Sequence, residues 1–160
     1  MKRIRSIAAL AVVFFVLPLS AQAQQSQTGN AQSTRPAVVY SSAGASSNRP
    51  LSDVVRVDSL LYLSGKLGTD DSGKLVAGGI AAETKQTMEN IRTVLEKNGS
   101  SLDHVVKCTV MLADIKEWAD MNAVYITFFK KERLPARSAF GTSGLVLGAR
   151  VEIECIAITK

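Results

Sequence analysis

Two periods alternate along the chain. From Val151 the apolar residues fall on every second position, at Val151, Ile153, Cys155 and Ala157, with Glu152 and Glu154 between them. That is the pattern of a strand with one buried face. Val105 to Leu112 and Ala136 to Gly141 are further strand-like runs, and Ala37 to Tyr40 is a short first strand. Val54 to Val57 and Leu60 to Ser64 predict a hairpin turning at Asp58-Ser59. A different spacing intervenes at Thr84, Met88, Ile91 and Leu95, which predicts a helix from about Ile80 to Lys97, stopped by Asn98-Gly99. Asp114 followed by Glu117 has the form of a capping box and predicts a second helix reaching about Lys131, ahead of Pro135. Gly68 to Gly79, turning at Asp70-Asp71-Ser72-Gly73, and Thr142 to Ala149 are loops.

The order β-β-β-α-β-α-β-β predicts an α+β fold, with two helices on one face of a mixed, mostly antiparallel sheet. The other face poses a question. On the last strand it carries Arg150, Glu152 and Glu154, but also Ile156 and Ile158, and Leu60 to Leu63 is apolar on both sides. Helices for one face and apolar residues on two call for a second covering surface. Self-association supplies it, and places an active site at the seam.

The first residues do not belong to this pattern. Lys2, Arg3 and Arg5 precede an unbroken apolar run from Ile7 to Leu17, and Ala21-Gln22-Ala23 follows. This is the layout of a secretory signal peptide over 1–23, expected to be cleaved after Ala23 with export to the periplasm, the competing reading being an uncleaved anchor. The run is shorter than the roughly 20 residues of a spanning helix, so no membrane partner is expected once it is removed. Residues 24–35, rich in Gln, Ser, Thr, Asn and Gly, form a flexible leader, and 36–160 form the domain. Removing 23 of the 160 residues leaves 137, enough for one core. Three of the 19 basic residues and no acid leave with the signal, so +5 becomes +2. No basic stripe interleaved with aromatics is present, which argues against a nucleic-acid partner.

Candidate chemistry concentrates late in the chain. Arg137 sits in the apolar strand-like run Pro135-Ala136-Arg137-Ser138-Ala139-Phe140. A buried arginine costs several kcal/mol unless an anion or dense hydrogen bonding meets it, so Arg137 is a candidate carboxylate receptor. Asn122 falls inside the helical arc of Trp118, Tyr125 and Phe129, where a buried amide needs partners. It either ties down a neighbouring loop or orders a loop that lines a pocket. Ser64-Gly65 ends a strand, as a plain turn or as a place for close backbone approach. Glu152 and Glu154 have surface charge as their default role, unless one faces the pocket that Arg137 enters. Cys108 and Cys155 are expected to be two small buried residues; an oxidising compartment would permit a disulfide, but the sequence does not place their Cα atoms within bridging distance. His104, the one histidine, is expected at a surface loop without chemistry. No metal-ligand spacing, Ser-His-Asp set, phosphate loop or dinucleotide fingerprint is present. A catalytic role therefore rests on arginine, backbone groups, a carboxylate and water.

Leu61-Tyr62-Leu63-Ser64-Gly65, Ala81 to Ile91, Ser101 to Val110, Trp118 to Tyr125, Pro135 to Phe140 and Val151 to Glu154 together resemble the RidA/YjgF/UK114 family (reactive intermediate deaminase A). The likeness runs from about Val54 to Ile158. It implies a chorismate-mutase-like fold, a barrel-like homotrimer with clefts between subunits, and hydrolysis of 2-iminoacids and their enamine tautomers to 2-ketoacids and ammonia. No metal or organic cofactor is implied. By resemblance Arg137 holds the substrate carboxylate bidentately, Glu152 hydrogen-bonds the attacking water, and Ser64, Gly65 and Asn122 line the pocket. The substrate-facing position two residues after the arginine, commonly Cys in the family, is Ala139. Leu51 stands where the family has a pocket tyrosine, Lys66 replaces a glutamine, and Thr142-Ser143-Gly144 alters the following loop. A second implied function is non-enzymatic binding of a small carboxylate in the same cleft; ribonuclease activity, reported for some relatives, finds little support in the near-neutral mature chain.

Overall fold

The computed structural model describes residues 36–42 and 50–160. The expected signal peptide at 1–23, the leader at 24–35 and most of the 41–48 loop lie outside the described residues. Arg35–Lys160 form one compact unit. Its strands are β1 (Val38–Ser41), β2 (Val54–Val57), β3 (Leu60–Leu63), β4 (Lys66–Leu67), β5 (Val105–Leu112), β6 (Ala136–Gly141) and β7 (Val151–Ile158). Helix α1 (Gly79–Lys97) precedes β5, and α2 (Trp118–Tyr125) lies between β5 and β6. The sheet runs β1-β2-β3-β7-β5-β6, with β4 also on β7. Among the described strands only β5 and β6 pair in parallel; the other pairs are antiparallel. This is the α+β fold the sequence predicts. Among the described residues no helix is long and apolar enough to cross a membrane.

One side of the sheet meets the helices. Val151, Ile153, Cys155 and Ala157 of β7 face the core with Cys108, Val110 and Leu112 of β5, and are covered by Met88, Ile91 and Leu95 of α1 and Met121 of α2. Helix α1 ends as its sequence requires: Gly99 takes φ 74°, and the Asn98 and Ser100 amides both donate to the Leu95 carbonyl. On the other side Tyr62, Phe140 and Ile158 are 43%, 47% and 38% exposed. The second covering surface called for by the sequence is not supplied by the described residues.

Three expectations need correction. The second helix stops at Tyr125, not near Lys131, and is flanked by 3-10 turns at Ile115–Glu117 and Ile126–Phe128. Ile126 and Thr127 are β-branched, and the Thr127 hydroxyl donates to the Val124 carbonyl at 2.7 Å, bonding locally where the helix ends. The capping box is only half formed. Asp114 Oδ1 accepts from the Lys116 amide at 2.9 Å, but the Glu117 carboxylate turns away to Arg150, whose Nε donates at 3.1 Å. Finally, Cys108 and Cys155 are buried but are not two thiols: they form a disulfide across neighbouring strands. They are register partners in the β5–β7 ladder and point to the same face, a relation that residue spacing does not reveal.

Candidate active site

Among the described strands β6 has one neighbour, β5, and stands at the edge of the sheet. Arg137 is in register with Cys108, so its side chain rises on the helix side, beside α2. There the Asn122 Oδ1 accepts from Arg137 Nη1 at 2.7 Å. The guanidinium carbon lies 4.8 Å from the Tyr125 ring centre and 5.5 Å from that of Trp118, so two aromatic faces bracket the cation. The i, i+4, i+7 spacing of Trp118, Asn122 and Tyr125 puts all three on one stripe of α2. Ala139, two residues on in the same strand, faces the same way and packs against the core. Among the described residues no carboxylate pairs with Arg137; its one hydrogen-bond partner is a neutral amide. Burial pushes the Tyr125 phenol up to about 12, with the Arg137 charge working in the opposite direction. Of this cluster, the sequence singled out Arg137, Asn122 and Ala139. It missed the clamping role of Trp118 and Tyr125, whose signal was their position on either side of Asn122.

The remaining candidates form a second group. From Tyr62 to Lys66 the chain advances four residues while its partner strand advances three, from Ile156 to Ile153. The extra residue makes a bulge at Ser64-Gly65. The Ser64 hydroxyl donates to the Ser52 carbonyl at 2.6 Å, anchoring the bulge to the segment before β2. A Cβ at Gly65 would meet the Glu152 carboxylate, so any larger residue would push that side chain from its present position. Glu152 thus lies against bare backbone. Leu51, Gly65, Lys66 and Glu152 share one cleft of about 770 Å³. Lys66 is ion-paired with the buried Asp53. Glu154, two residues along β7, is exposed on the same face as Glu152 and lies outside this cleft. His104 closes a 3-10 turn, half-buried, with a ring nitrogen 2.9 Å from the Ser101 hydroxyl.

The two groups do not meet within a chain. Arg137 shares its face with Cys108 and Cys155, whereas Glu152, three positions from Cys155, points to the opposite side of the sheet. The chain carries two half-sites, a cation bracketed by aromatics at the sheet edge and a carboxylate on the uncovered face. Among the described residues no cluster of His, Cys, Asp and Glu could hold a metal ion.

These features define a small α+β protein with a divided polar site. The sequence profile of the family described as Endoribonuclease L-PSP matches residues 42–159. The chain is 44% identical over 110 residues to a mouse protein named 2-iminobutanoate/2-iminopropanoate deaminase, covering 68% of this chain and 81% of that one. It is 42% identical over 111 residues to the Drosophila melanogaster RutC family protein UK114, covering 69% and 80%. Among solved structures, RidA from the Antarctic bacterium Psychrobacter sp. superposes with TM-score 0.66 at 32% identity, covering 78% of this chain and 98% of that chain. Yeast Mmf1 superposes with TM-score 0.67 at 33% identity, covering 79% and 98%. The chain belongs to this family, the RidA/YjgF/UK114 proteins.

Proposed function

We propose that this protein is an exported homotrimeric hydrolase that deaminates 2-iminoacids and their enamine tautomers to 2-ketoacids and ammonia. The observation that carries the reading is the uncompensated guanidinium of Arg137, half-buried between two aromatic rings with only an amide for a partner. Such a charge is costly until an anion arrives, and a planar fork suits a carboxylate. The names of the deaminase relatives support a 2-imino acid as that anion.

The bare sheet face supports the trimer. Packing these faces together buries Tyr62, Phe140 and Ile156, and lets the Glu152 half-site of one subunit face the Arg137 half-site of the next. In that seam Arg137 fixes the substrate carboxylate and Glu152 accepts a proton from a water. The water oxygen bonds to the imine carbon and the first proton passes to the nitrogen, giving a carbinolamine; its hydroxyl proton then moves to the nitrogen as the carbonyl forms and the carbon–nitrogen bond breaks, leaving ketoacid and ammonia. The buried disulfide suits an oxidising compartment and so supports export.

Supplying the imine with an amino-acid oxidase tests this. Added protein is expected to accelerate ketoacid release, and Arg137→Ala to remove the acceleration while the fold is retained. Correctly assembled protein that leaves the spontaneous rate unchanged would refute the proposal. A second reading, a carboxylate-binding protein without turnover, is favoured by Leu51 and Ala139, which remove polar groups the family commonly places at the pocket. It predicts a raised melting temperature with 2-ketoacids but no acceleration.

A further inference from the structure

The loop joining β6 to β7 places a large apolar residue where the backbone disfavours one. Leu147 sits at φ 61°, ψ 8°, in the left-handed region that glycine or asparagine occupies most readily. Turn hydrogen bonds hold it there, with the Gly148 amide on the Leu145 carbonyl at 3.1 Å and the Ala149 amide on the Val146 carbonyl at 3.2 Å. Packing within the chain does not repay the strain, because Leu147 is 65% and Val146 68% exposed. Strain of this kind, kept without a contact to justify it, points to a role outside the fold. Both side chains line the cleft that contains Glu152 and Gly65, and the 47% exposed Leu51 lines it too.

Several polar side chains of that cleft are already engaged, among them Lys66, Asp70, Asn90 and Asn98. Lys66 is held by Asp53, and Asp70 Oδ1 accepts from the Ser72 and Lys74 amides of its own turn. The same cleft carries, with Glu152, three aliphatic side chains that extend from two separate loops, Leu51 from one and Val146 and Leu147 from the other. We infer that Leu51, Val146 and Leu147 form the subsite for the substrate's side chain, and that the preferred substrates are 2-imino acids with branched aliphatic or aromatic side chains. This rests on the deaminase reading for its chemistry, but these residues would select the same side chains in a protein that only binds.

The test uses imines generated by an amino-acid oxidase from alanine, leucine and phenylalanine. Wild-type kcat/KM is expected to favour the leucine- and phenylalanine-derived imines by on the order of tenfold or more over the alanine-derived one. Leu147→Gly relaxes the left-handed backbone, so its melting temperature should hold or rise while the preference falls toward unity; a merely structural leucine would not show that split. Leu51→Ser is a second variant, on the other loop. Thermal shifts with 2-oxopropanoate and 4-methyl-2-oxopentanoate supply a readout free of turnover. Equal kcat/KM for all three imines overturns the inference and leaves the deaminase standing. No acceleration, with a larger shift for the branched ketoacid, overturns the deaminase and leaves the subsite standing. Loss of the assembled species on size exclusion in Leu147→Gly would show the pair to be a subunit contact, and also overturns the inference.

Discussion

Tyr125 does two things at once. Its ring supports the Arg137 guanidinium, and its hydroxyl is buried with no hydrogen-bond partner among the described residues. With the folded phenol raised to about 12 and an unfolded value near 10, the folded chain keeps a proton that the unfolded chain loses above pH 10. Stability is therefore complete below that pH and declines as pH climbs toward 12, by on the order of 2 kcal/mol. Urea unfolding at about pH 8 and about pH 11 measures this. Tyr125→Phe should flatten the alkaline decline; an unchanged slope would show that another group is responsible. Arg137 was legible in the sequence because an arginine in an apolar run is an anomaly by itself. Its clamp was not, because two aromatics on a helix are ordinary until a strand brings a cation between them.

The β5–β7 pair is the element on which the site depends. Cys108 is in register with Cys155 on one side and with Arg137 on the other, so the covalent cross-link sits one strand from the guanidinium. The two cysteines are 47 residues apart, and closing a loop of that size stabilises a domain by about 2–4 kcal/mol. Reducing the bond, or replacing the pair through Cys108→Ala with Cys155→Ala, should lower the melting temperature by several degrees. A melting temperature unaffected by reductant would contradict this. The periodicity gave α1 within a residue, and β5 and β6 at the bounds observed. It overran α2, since Ile126 and Thr127 keep helical spacing while their branched side chains and the Thr127 hydroxyl disfavour its continuation. It missed the disulfide for a different reason. Pairing of strands is set by register, and the β5–β7 register that joins Cys108 to Cys155 includes a shift between Val105 and Lys107 that has no local signature.

At the scale of the molecule, register also separates Arg137 from Glu152, placing them on opposite faces of one sheet. If the trimer proposed above is a ring, each crevice takes its arginine from one subunit and its glutamate from the next. Arg137→Ala and Glu152→Gln proteins, each inactive alone, should then regain activity when unfolded together, mixed in equal amounts and refolded. Random mixing makes about a quarter of the crevices complete, so about a quarter of wild-type activity is expected. No recovery, with mixed assemblies shown to form, would mean that both residues serve the same crevice from one chain or that one of them is idle. The same separation bears on how the protein is assayed. In the proposed ring a solitary chain holds both reagents yet cannot bring them to one molecule, so turnover per mole would drop as the solution is thinned below the dissociation constant of the assembly, and a feeble rate from a very dilute sample would measure how many rings survive, not how well they work.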